Sequence, residues 1–160
     1  MQNSTAQALA EQFSALNRSM IAWVEDCPNA LWQHPCGDDV RTVGLVAHHI
    51  ASTHIQVTQL VGLVASGQQL PAITEEMLHQ GNAQHATAFA ACTQKQVSEL
   101  LAANGEAAIV AVRALSQEQL ERSAYFTLLG TNASTQAMIE HVLIGHAGGH
   151  FANIQSAVAG

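Results

Sequence analysis

Apolar residues recur along most of this chain at intervals of three and four, the period of an amphipathic helix. They almost never alternate at the interval of two that marks a half-buried strand. In the first segment Leu9, Phe13, Leu16, Met20 and Trp23 keep the helical spacing. This predicts a helix from about Ser4 to Val24, capped by Ser4 or Thr5 and ended by Cys27-Pro28-Asn29. A loop containing Trp32 and Pro35 follows. Val43, Val46, Ala47, Ile50, Val57, Val61 and Val64 then share one arc of a helical wheel. They predict a second helix running from an Asp38 or Asp39 cap to Ala65, closed by Ser66-Gly67. A third helix is expected from Thr74, with Glu75 and Glu76 at its positive end. It reaches Ala103, is kinked by Asn104-Gly105 and resumes to Leu115. Ser116 and Gln119 have the spacing of a capping box for a short turn. Tyr125 to Leu129 is a brief apolar stretch of undefined type, and Gly130 opens a loop. Ser134 caps a last helix that reaches about Val158.

Four main helices with no linker between them predict one domain over residues 1–160, all-α, folded as a four-helix bundle. Composition supports this: 48% of residues are hydrophobic, 11% charged and 4% aromatic. A net charge of −7 with five basic residues argues against nucleic acid, because no basic stripe exists to hold phosphates. No apolar run has the length to span a bilayer, and no polybasic or amphipathic anchor is visible. The N-terminus lacks the basic-then-apolar order of a secretory signal. Cys27, Cys36 and Cys92 show no Cys-x-x-Cys spacing and read as free thiols, so a cytoplasmic location is expected.

Candidate chemistry lies in the nine histidines. His146 and His150 are four residues apart on the last helix, so their imidazoles leave the same face. At about 100° per residue they share a sector with Ile139, Val142, Leu143, Ile154 and Ala157, while His141 lies roughly opposite. The pair is thus expected to point inward, and a divalent metal is one of the few partners that satisfies two buried neutral imidazoles. A second cluster, His48-His49, falls on the second helix. His49 lies at the edge of the apolar arc beside Thr53 and Leu60, and is favoured as a third ligand. His48 lies outside the arc and reads as a solvated surface residue, while His54, inside it, is a competitor or a pocket-lining group. Three imidazoles would leave an open coordination position, the catalytic pattern, where four protein ligands would indicate a structural site.

The order of a first helix, a Trp-containing loop, Thr42-Val-Gly-Leu-Val-Ala-His-His-Ile-Ala51, a long third helix and His146-x-x-x-His150-x-x-x-Ile154 resembles the DinB-like superfamily of metal-dependent four-helix bundles. The resemblance covers essentially the whole chain. It implies an up-down-down-up bundle, often a homodimer, and a divalent ion such as zinc or nickel held by His49, His146 and His150. It also implies thiol-dependent transfer or isomerisation with a low-molecular-weight thiol, while hydrolysis at a metal–water centre is the other chemistry that three histidines would allow. The sequence departs from the family pattern after the last ligand, where Phe151, Ala152 and Asn153 replace Arg-Gly-Gln, and at His54, where an acidic residue is common. The alternatives are a bundle that binds a small ligand without turning it over, and one whose metal is structural. His54, His85 and Glu140 are candidate general bases by residue type alone.

Overall fold

The computed structural model describes residues 3–36 and 41–159. Helix α1 spans Ser4–Asp26 and is capped by Asn3, whose side chain accepts from the Thr5 N–H, so the cap lies one residue before the expected Ser4. The segment around Trp32 forms a single helical turn, α2 (Asn29–Trp32), rather than a loop. Helix α3 spans Val43–Ala65 and starts at Thr42, whose hydroxyl accepts from the Leu45 N–H at 3.2 Å. The caps named from the sequence, Asp38 and Asp39, lie outside the described residues.

The predicted long third helix is two helices. Helix α4 (Glu75–Ala88) begins at Thr74 as expected, but the chain turns at Phe89 and restarts as α5 (Gln94–Arg113). Thr93 caps α5, and Gln96 returns the bond to the Thr93 backbone, a complete capping box. The expected kink at Asn104-Gly105 is absent, because both residues serve contacts between helices. Asn104 Nδ2–H donates to the Ala51 carbonyl at 2.9 Å. Gly105 makes room for Asn17, since a Cβ at Gly105 would lie 2.1 Å from Asn17 Nδ2.

A short helix α6 (Gln117–Glu121) follows, with the predicted capping box of Ser116 and Gln119. The undefined stretch after it is an antiparallel hairpin, β1 (Ser123–Phe126) with β2 (Thr131–Ser134), in register Ser123 to Ser134. Gly130, at φ 65°, closes its turn in the left-handed region that favours glycine. Ser134 caps the last helical rod as expected. The rod runs as α7 (Thr135–Ala137), a π-helical stretch (Met138–Ile144) and α8 (Gly145–Val158).

Pairwise contacts give the directions of the four long helices. Helices α1 and α5 are antiparallel: Asn3 meets Gln117 at one end, and Gln94 donates to the Val24 carbonyl at the other. Helices α3 and α5 run parallel, with Cys92 against Gly44, Asn104 against Ala51, and Arg122 against Ala65. Helix α8 runs back along α3 and alongside α1, where Phe151 packs edge-on to Trp23. The order is therefore up, down, down, up. Two apolar clusters fill the interior, one around Met20, Ile50, Leu101 and Ile154, the other around Phe13, Val61, Leu120 and Ile139. Among the described residues no helix is long and apolar enough to cross a membrane. Cys27, Cys36 and Cys92 are all buried. Burial pushes the Cys27 and Cys92 thiols up, so both stay protonated and unreactive.

Candidate metal centre

Two turns into α3, His49 faces the last helical rod across the bundle. There it meets His146 and His150, which lie one turn apart on α8. Ring centroids are 5.3 Å apart for His49 and His146, 5.0 Å for His49 and His150, and 4.5 Å for His146 and His150. One nitrogen from each ring lies within 4.8 Å of the other two. His49 is buried, and the other two are half-buried.

The two α8 histidines do not occupy the core itself. The buried positions of α8 are Ala147, Phe151 and Ile154, of which Ala147 and Phe151 each lie one residue past His146 and His150. The imidazoles therefore stand on the flank of the core stripe and line a cavity. The π-helical stretch, in which hydrogen bonds skip five residues instead of four, ends just before α8 and resets the facing of the residues upstream of the pair. His141 is exposed, as the helical wheel predicts.

His48 is not a solvated residue. It is buried, stacks on Phe89 with centroids 4.0 Å apart, and shares a hydrogen bond with His85 (Nδ1 to Nε2, 2.8 Å). His48 Nδ1 also lies 3.2 Å from Ser52 Oγ, and the Ser52 hydroxyl donates to the His48 carbonyl at 3.0 Å. The other ring nitrogen of His85, Nδ1, is buried without a partner among the described residues. His85 also packs edge-on to His49, with centroids 5.7 Å apart, so α4 lays a fourth imidazole against the triad. A single-helix wheel cannot reveal this, since it shows which side of α3 meets the core and not what folds over the other side. The Thr93-x-x-Gln96 capping box was the available signal: it ends the preceding helix early and frees α4 to cross the site.

His54 is not brought to the triad's ligand atoms. It is 1% exposed, stands edge-on to Phe13, and its Nε2–H donates to Asn17 Oδ1 at 3.0 Å. Asn17 Nδ2–H in turn donates to the Leu101 carbonyl at 2.9 Å, so one buried chain of bonds ties α3, α1 and α5 together. Glu140 accepts from Gln136, and Tyr125 is exposed.

These histidines are held neutral. Burial, then His146 and His150, then Arg41 and His85, push His49 from 6.5 down to about 3. Burial and His150 bring His146 to about 4, burial and His146 bring His54 to about 4, and burial and His48 bring His85 to about 4. Because the folded values lie below 6.5, the unfolded chain takes up protons first as the pH falls. The metal-free protein should therefore hold full stability above about pH 7 and lose it through the window from 6.5 to 4. His54 alone, deeply buried, accounts for a loss on the order of 3 kcal/mol. Urea unfolding at about pH 7.5 and about pH 4.5 measures this, and equal stabilities at the two would contradict buried neutral histidines.

The triad opens into a cavity of about 720 Å³, walled by α3, α4, the β1–β2 hairpin and the last helical rod. That volume is in the range of small-molecule sites. No protein-family model and no curated protein matches the chain. Among solved structures it is similar to YfiT from Bacillus subtilis, described as a probable metal-dependent hydrolase with an unusual four-helix bundle topology. The TM-score is 0.76 at 17% identity, over 98% of this chain and 87% of that one. At that identity the likeness shows the fold, a four-helix bundle.

Proposed function

We propose that this chain is a divalent-metal-dependent hydrolase of small molecules, with the ion held by His49, His146 and His150. The observation that carries the reading is the convergence of three imidazole nitrogens, all within 4.8 Å of one another, at the wall of a cavity. The donor set suits a metal, since rings kept neutral at pH 7 offer lone pairs without first releasing protons. The three nitrogens are close enough together to share one ion, and imidazole donors fit zinc or nickel. Three neutral ligands would leave the full charge of a bound ion in place, and the chemistry it would supply is acidification of a water as nucleophile. The chain contributes the rest. Asn17 and Leu101 fix His54 behind α3, and His48 fixes His85 beside His49. The fold likeness to YfiT supports the same reading.

Thiol transfer at the open position is the competing chemistry. Among the described lining residues Arg41 is the one cationic side chain, so the wall offers little to an anionic thiol. The test is elemental analysis of tag-free protein together with hydrolysis of a panel of activated esters and amides. Near-stoichiometric zinc or nickel and turnover abolished by a chelator are expected. Protein that takes up no metal after incubation with either ion would sink the proposal.

A further inference from the structure

We propose that the cavity is built for an amphiphile, with its polar reactive head at the three histidines and an apolar tail laid along α3 toward Leu63. This rests on the hydrolase reading and adds the substrate class. Three walls of the cavity change character in the same direction. On α3 the lining stripe runs His49, Thr53, Gln56, Leu60, Leu63, at the three-and-four spacing of one helix face. On the last rod, which is antiparallel to α3, it runs His150, His146, Val142. On α4 it runs His85, Asn82, Leu78.

The direction of α4 follows from its two ends. His85 sits against His48 near the start of α3. Ile73, just before α4, exchanges two bonds with Thr127 of the hairpin, next to the end of α3. Ile73 and Phe126 close the apolar end. From His49 to Leu63 the wall extends about 21 Å along the helix axis. Met77 and Leu78 are 53% and 41% exposed on this rim, where a helix with no ligand to cover would carry polar residues. A compact polar substrate would use only the histidine end of such a site.

The probes are straight-chain alkyl hydroxamates of increasing length, titrated calorimetrically into zinc-loaded protein, and straight-chain alcohols titrated into metal-free protein. Each added methylene is expected to tighten binding about fourfold until the tail reaches Leu63. Leu78→Glu, at an exposed position, and Leu63→Asn, at a half-buried one, should flatten that slope while leaving acetohydroxamate binding to zinc unchanged. Equal affinity for all chain lengths on protein that holds zinc overturns the proposal. So does a Leu78→Glu variant that changes only the association state, because the apolar rim would then belong to an interface between copies. A chain-length slope with the alcohols in protein that takes up no zinc supports the tail site and sinks the hydrolase reading, so the two failures are distinguishable.

Discussion

Replacing His150 with alanine is expected to weaken zinc binding more than about a hundredfold, beyond the 10–100-fold that loss of an outer hydrogen-bond partner typically costs. Two imidazoles would remain, and the vacated position opens toward the cavity, where water is a poor substitute for a neutral nitrogen donor. His49→Ala should do the same, since His49 is the one member of the triad on α3 and the most deeply buried. His141→Ala is the control: it removes an exposed histidine from the same rod and should leave affinity unchanged. Competition with a chromophoric chelator measures all three. Zinc binding that survives both His150→Ala and His49→Ala would exclude the triad as the site.

The second large effect is on stability. Gly105→Ala should destabilise the protein by about 3 kcal/mol, combining overpacking with a broken buried network. The added methyl would sit 2.1 Å from Asn17 Nδ2 and 2.7 Å from Asn17 Cγ. Asn17 has nowhere to retreat, because its amide is held at both ends, by the Leu101 carbonyl and by His54 Nε2–H. Moving it strands polar groups in a region where Asn17 is 4% and His54 1% exposed. Calorimetry should show a fall in Tm of roughly 6–12 °C for a domain of this size. Gly62→Ala on α3, where an added Cβ meets nothing within 4 Å, should be neutral or slightly stabilising. A Gly105→Ala protein as stable as Gly62→Ala would refute the role given to Asn17. Gly105→Ala should cost much less in an Asn17→Ala background than in the parent, because the side chain it clashes with is gone, even though Asn17→Ala is itself destabilising.

What the chain alone settles is local. A helix with one face in a core must repeat its apolar residues every three or four positions, so α1, α3 and the last rod are written in the sequence. The caps at Thr74, Ser116 and Ser134 involve partners three residues away and are equally legible. His146 and His150 belong to this class, because their shared face follows from four residues of one helix. His49 could be preferred to His48 and His54 from its place on the edge of the apolar arc.

The rest depended on which helix lies over which. Helix α4 has no buried residue, so its period carries little information, and its crossing of the site could not be read in advance. That crossing turns His48 from an outward residue into one stacked under Phe89 and bonded to His85. Asn104-Gly105 has the local propensity of a break, yet contacts with Ala51 and Asn17 on other helices hold it inside α5. The π-helical stretch breaks the constant 100° per residue between the pair and Ile139, Val142 and Leu143, so the shared sector drawn for them from the sequence does not hold across it. Periodicity encodes how much of each helix is buried. Which imidazoles meet is a property of helices far apart in the chain, and only their packing decides it.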